Sequence, residues 1–160
     1  MADLTVTITE AVTLNGASRG STNTLTVSGV DDVYHRIVTV PSGVDTTLAS
    51  FKSTVGVADS ALDLGNVKYI RVTNLDSSNP VNLNLQIEDD NDDSAADENV
   101  TILLEAKKSF LMGTPDAAIA SSGQGDTDAA VISSLEDLES IIADSLSAAV
   151  QCEIFVASVV

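Results

Sequence analysis

The sequence predicts an all-β chain, an antiparallel β-sandwich of about eight or nine short strands with at most one short helix near residues 134–142. Three observations carry this prediction. Apolar and polar residues alternate with period two in most segments, and turn-forming clusters recur about every eight to twelve residues. The apolar content of 44% is nearly all aliphatic, with 3% aromatic residues and no tryptophan. In a chain of 160 residues that is enough to bury the core of one domain, 1–160.

Taken in order, Leu4, Val6 and Ile8 share one strand face against Thr5, Thr7 and Thr9, and the pattern continues through Val12 and Leu14. Asn15 to Gly20 supplies two glycines with polar partners, which suits a hairpin connection. Thr22 to Val30 reads as the returning strand, with Leu25 and Val27 inward. Asp31 and Asp32 break the run, and Val33 to Val40 resumes it up to the turn at Pro41, Ser42 and Gly43. Thr46 to Lys52 is a shorter strand anchored by Leu48, with Phe51 on the opposite face, and residues 53–66 read as a loop.

Val67 to Leu75 is rich in β-branched and aromatic residues and predicts a strand, closed by a turn cluster from Asp76 to Pro80. Val81, Leu83, Leu85 and Ile87 then alternate with Asn82, Asn84 and Gln86, the clearest strand pattern in the chain. Residues 88–98 hold seven acids in eleven positions and predict a solvated acidic loop, because packing like charges together would require desolvating them. Val100 to Leu104 and Ser109 to Met112 predict a further strand pair, with Lys107 and Lys108 near the connection. Residues 114–128, built from Ala, Gly, Ser and Asp, predict a long loop or arm. Ser134 and Asp137 suit a helix cap, and the spacing of Leu135, Leu138, Ile141 and Ile142 predicts the short helix. Val150, Cys152, Ile154 and Val156 alternate with polar positions and predict a final strand that completes a sheet.

The net charge of −17 would repel a phosphate backbone, so nucleic acid and anionic membrane are excluded as expected partners. Residues 109–160 carry eight acids and no Lys or Arg. Such acidity calls for counter-ions or a basic partner when copies pack together, and a salty medium is a second reading of it. Residues 1–6 show neither a basic segment nor an apolar one of the kind that heads a secretory signal, and no run reaches the length of a transmembrane helix. A single cysteine fits synthesis in a reducing cytoplasm.

Candidate chemistry is sparse. Gly16-Ala17-Ser18-Arg19-Gly20 spells the G-x-S-x-G nucleophile pattern, but that pattern needs a helix after the serine and here a strand pattern follows. His35 is the sole histidine and shares a face with Val33 and Ile37, which predicts a partly buried ring with a local hydrogen bond; a pH-sensitive contact between subunits is the sharper alternative. Cys152 reads as a small core hydrophobe. Asp89, Asn91 and Asp93 match the first three ligand positions of a calcium loop, a candidate weak site for Ca or Mg. The match fails afterwards, with Ser94 where glycine belongs and Val100 where the bidentate glutamate belongs. Asn99-Val100-Thr101 spells a glycosylation sequon, read as accidental. Catalytic and cofactor-binding residues are accordingly expected to be none, and the chain is not read as an enzyme.

The stretches VKYIRVTNLD (67–76), VNLNLQI (81–87), KSFLMG (108–113) and EIFVAS (153–158) resemble small β-rich virion structural proteins of tailed bacteriophages, marine ones in particular. The opening ITEAVTLNG (8–16) has the same character. The likeness is one of strand texture and transfers no catalytic or binding residue. It implies a protein of the virion, made in the host cytoplasm, that decorates or cements the capsid through oligomeric contacts with the major capsid protein or other virion proteins. A tail component is the nearest variant. A monomeric module binding a glycan or cell-surface ligand is the alternative from another class, disfavoured by the scarcity of aromatic residues.

Overall fold

Alternation at period two becomes strands wherever one face has a layer to bury. The computed structural model describes residues 1–56, 60–87, 98–120 and 135–160, and among them the chain is all-β, its one helical turn being a 3-10 turn at Leu64–Asn66. In chain order the strands are β1 (Ala2–Thr9), β2 (Thr13–Leu14), β3 (Ala17–Ser18), β4 (Thr22–Val40), β5 (Thr46–Lys52), β6 (Leu62–Asp63), β7 (Val67–Asn74), β8 (Val81–Ile87), β9 (Glu98–Leu104), β10 (Ser109–Met112), β11 (Leu138–Asp144) and β12 (Val150–Val159). One five-stranded sheet runs β1-β4-β12-β7-β10, wholly antiparallel and curled into a half-barrel. A second runs β6-β5-β11-β8-β9, with a short parallel pairing of β5 and β6 at its edge.

The two sheets share one aliphatic layer. Ile70, Val72, Cys152, Ile154 and Val156 from the first sheet join Leu48, Leu83, Leu85, Leu138 and Ile141 from the second in a single cluster. In β8 every apolar residue is buried and every intervening polar one is half-buried, as the sequence pattern predicts.

Two departures from strict alternation are caused by bulges. Opposite β11, one extra residue falls in β5 between the pairs Ile142 with Thr47 and Ile141 with Ala49. That extra residue changes the parity, so Leu48 and Phe51 are both buried although the sequence placed them on opposite faces. The same device explains the predicted helix at 134–142, which the structure replaces with β11. A register shift against β8 between Leu138 and Ser140 lets Leu138 and Ile141 point into one core at a spacing of three. A bulged strand thereby imitates the spacing of a helix. Adjacent Ile141 and Ile142, both β-branched, favour the strand.

Asp31 and Asp32 likewise do not end a strand: β4 is continuous for 19 residues. Register shifts on either side of Val30, against β1 and against β12, absorb the interruption as bulges. Gly29 sits there with φ +77, a conformation that would strain any residue with a Cβ. Beyond this kink the first half of β4 pairs with β1 as a two-stranded ribbon laid over the far side of the curled sheet. Leu4, Val6 and Val27 there pack on Val30, Tyr69 and Ala157, with Phe155 and Val159 alongside, a second and smaller cluster. The ribbon continues as β2 and β3, closed by Asn15 and Gly16 with φ of 52° and 77°, the two positive angles of a type I′ hairpin turn.

β9 and β10 do not form the pair that their sequence proximity predicts. β9 joins β8 in one sheet and β10 joins β7 in the other. The crossing is fixed by Asn74, fully buried at the end of β7. Its backbone N–H donates to Lys108 O at 3.0 Å, and its carbonyl accepts from Lys107 N at 3.1 Å. Its amide Nδ2 donates to Leu104 O at 3.1 Å and to Asn79 O at 2.9 Å, while Oδ1 accepts from Asp76 N at 2.9 Å. One side chain thus ties the end of β7 to the following turn and to the end of β9 in the opposite sheet. Asn74→Ala leaves the buried Leu104 carbonyl without this partner and should cost about 2–3 kcal/mol in chemical denaturation, whereas the exposed Asn23→Ala should stay within about 0.5 kcal/mol.

Candidate functional site

The side chains of the curled sheet that point away from the shared aliphatic layer form two adjoining surfaces, one polar and one apolar. In the polar one, Arg71 on β7 donates through Nη1 to Glu153 Oε2 on β12 at 2.7 Å and also to Thr73 Oγ1. His35 Nε2 on β4 donates to the other carboxylate oxygen, Oε1, at 2.8 Å. Thr73 and Ser109 share a hydroxyl contact of 2.9 Å. The Arg71 guanidinium and then the His35 imidazole hold the Glu153 carboxyl below its ordinary range, against a smaller opposing effect of desolvation. With one exposed histidine, one carboxylate already saturated by two cations or donors, and hydroxyls that lack a free base, this arrangement stores no nucleophile; it is an ordered polar patch.

Next to it lies an apolar groove between β1 and β10, the two edge strands of the half-barrel. A hollow of about 380 Å³ is bounded by Val6, Ile8 and Leu25 from the ribbon, Tyr69 from β7, and Leu111 and Met112 from β10. A contiguous hollow of about 430 Å³ shares Val6, Ile8, Tyr69 and Leu111 and runs on to Arg71, Ser109 and Phe155, where it meets the polar patch. The groove exists because the ribbon leans over β7 and β12 while its outer edge has no hydrogen-bonded neighbour in the sheet among the described residues. Paired strands supply its walls, and unpaired edges supply its rims.

The residues singled out in sequence fall in separate places. Ser18 lies in β3, opposite Thr13 in the hairpin, so the strand context that argued against a nucleophile is the one observed. His35 has the expected local hydrogen bond, but its side chain is 51% exposed where partial burial was expected, because its β4 face looks outward with Val33 and Ile37. Cys152 is fully buried in the aliphatic layer, as expected of a core hydrophobe, and burial pushes its thiol up to about 11. Asp89, Asn91 and Asp93, with nearly all of the acidic loop, lie outside the described residues, as does 121–128 of the expected arm; the acidic segment connects Ile87 and Glu98, which pair directly. Among the described residues no three His, Cys, Asp or Glu side chains gather as metal ligands. Sequence reading missed Arg71 and Glu153. Their signal was present: opposite charges at outward positions of two strands with regularly buried apolar residues, β7 and β12.

Comparison of the chain with protein-family models, with curated proteins and with solved structures finds no match.

Two outcomes follow from the geometry. Because the folded state lowers the Glu153 pKa, its contribution to stability is present above the ordinary value of 4.5 and is lost as pH falls through the lower folded value. Glu153→Gln should therefore lose about 1 kcal/mol relative to the parent at pH 7, and thermal melts in acid should show the gap closing. Cys152 should resist a charged thiol reagent at pH 8 in the native protein and react fully once guanidinium unfolds it, a contrast read directly by mass spectrometry.

Proposed function

We propose that this chain is a non-enzymatic virion structural protein, a β-sandwich that decorates or cements a bacteriophage capsid by contacts among its own copies and with the major capsid protein. The observation that carries the reading is the apolar groove rimmed by two open strand edges, β1 and β10, on an acidic all-β unit. Open edges and an apolar trough are what strand addition and subunit packing use. The texture of the strands at 67–76, 81–87, 108–113 and 153–158 supports a place in a phage particle. The acidic surface favours contacts that are selective, since like-charged copies approach only where apolar burial outweighs repulsion.

The glycan-binding alternative loses ground on one observation: none of the five aromatic side chains is exposed. Phe51 and Tyr69 are buried, and Tyr34, Phe110 and Phe155 are partly covered. Sugar stacking needs an accessible ring face.

Antibody labelling of gradient-purified particles from a lysed culture that carries this gene tests the assignment. Label over the shell, at a copy number comparable to the capsid protein, is the expected result. Label confined to the tail selects the tail variant, and particles free of the chain overturn the virion reading.

A further inference from the structure

We propose that the hollow beneath the β1–β4 ribbon is a binding site for a single-chain amphiphile, its aliphatic tail under Ile8 and Leu25 and its carboxylate head at Tyr69, Arg71 and Ser109. The proposal goes beyond the assembly reading, which concerns contacts between proteins and names nothing that fills the hollow itself.

The first observation is that aliphatic side chains left open by the fold converge on one space. Ile8 on β1, Leu25 on β4 and Leu111 on β10 are 47%, 52% and 43% exposed, and all three line the hollow of about 380 Å³. A dry apolar cavity of about 150 Å³ holds a benzene ring, so this one, though open on one side, takes a tail on the order of ten carbons. Water gains little there, because a held water needs about two to four polar partners and most of the lining offers none. Gly113, directly after β10, adds to the room: a Cβ built on it meets no atom within 4 Å.

The second observation is an unpartnered hydroxyl. Tyr69 is 6% exposed and lines both hollows, yet its hydroxyl makes no hydrogen bond among the described residues. Its ring is fixed edge-on against Phe155, with 6.2 Å between centroids, so the hydroxyl is held in place without being satisfied. The hydroxyl of a largely buried tyrosine ordinarily finds a partner, and an orphan of this kind marks where a polar group fits. Tyr69 and Arg71 are two residues apart on one face of β7. Burial pushes the tyrosine pKa up and the Arg71 charge pulls it down, as expected of neighbours.

The third observation is charge. Arg71 is the only charged residue lining either hollow among the described residues, in a chain of 24 acids. Both hydrogen bonds that Arg71 makes leave from Nη1, to Glu153 and Thr73, so Nη2 and Nε keep their N–H groups for another acceptor. Thr73 Oγ1 accepts from Arg71 and has its own proton for Ser109 Oγ at 2.9 Å, which leaves the Ser109 proton for the groove. Glu153 is engaged on both oxygens, by Arg71 and His35, and does not line the hollow. Tyr69, Arg71 and Ser109 therefore present donors without a competing carboxylate, the arrangement that holds an oxyanion. The net charge of −17 opposes any anion at long range, but at about 0.15 M salt that repulsion is screened beyond about 8 Å.

Calorimetric titration of the full chain with laurate, below micellar concentrations and at about 0.15 M salt, tests the site. One saturable site per chain is expected. Dodecyltrimethylammonium, a similar tail under a cationic head, should bind at least about tenfold more weakly. Tyr69→Phe removes only the hydroxyl and should weaken laurate about tenfold while keeping the parent's melting temperature. Gly113→Leu should fill the trough and abolish saturable binding with circular dichroism and melt unchanged; Leu25→Asn serves if the leucine perturbs folding. Absence of saturable laurate binding overturns the proposal, as do Tyr69→Phe and Gly113→Leu chains that both bind like the parent, or a cationic amphiphile that binds as tightly as laurate. The result is separable from the virion assignment, because a chain that labels particle shells can fail to bind laurate and a chain absent from particles can bind it.

Discussion

The architecture depends on one long strand whose two halves take different neighbours within one sheet. β4 pairs with β12 through its second half and with β1 through its first, and no straight strand could keep both partners while laying its first half over one face of β7 and β12. The conflict is resolved at Val30, where bulges on either side and the positive φ of Gly29 turn the chain. Everything distinctive about the outer surface follows from that turn. The ribbon is lifted over Tyr69 and Phe155, the sheet curls, β1 comes to face β10 across a groove, and the hairpin end is left exposed.

Magnitudes separate what holds the molecule together from what it presents. Burying one Leu, Ile or Val side chain is worth about 1.5–3 kcal/mol, and the shared layer contains many of them at essentially zero exposure. The Arg71, Glu153 and His35 contacts, being partly solvated, are worth about 1 kcal/mol together. The polar patch is therefore a minor contributor to stability, and its order is better understood as shaping the surface beside the groove. Asn74 is the exception among polar groups. Its side chain is fully buried and its bond to Leu104 O lies in the interior, where water does not replace it, and it ties together the two sheets that the ends of the 105–108 connection enter.

Legibility followed the same division. Val81 to Ile87 was read residue for residue because it is buried on one face and alternates without interruption. Thr46 to Lys52 had the right bounds but the wrong face for Phe51, and 138–144 had the right apolar residues but the wrong element, both because a bulge is invisible in a pattern and changes its parity. Asp31 and Asp32 looked like an end because charged pairs usually are; here they sit on an exposed kink of a longer strand. β9 and β10 looked like a hairpin because local connection is the common case, and only the long-range bonds of Asn74 reverse it. The groove was out of reach for a different reason. Its walls come from residues near 6, 25, 69 and 111, and no local pattern reveals that four distant segments line one hollow. The alternation of Leu4, Val6, Ile8, Val12 and Leu14 was legible, but that Ile8, Val12 and Leu14 are exposed is a property of the fold.

The acidity constrains how such a unit can associate at all. At about 0.15 M salt the screening length is about 8 Å, so charges on two approaching bodies interact once the surfaces are within a few water layers of each other. An element that extends farther than that length can make contact before the bodies feel their full mutual repulsion. The hairpin end, spanning about 13 Å from Glu10 to Leu14 and carrying one acid and one base, Glu10 and Arg19, is an element of that length. A flat apolar patch on the body is not, since burying it would press acidic surfaces together at the same time. General repulsion between acidic bodies therefore leaves apolar burial at nearly uncharged segments as the term that opposes it.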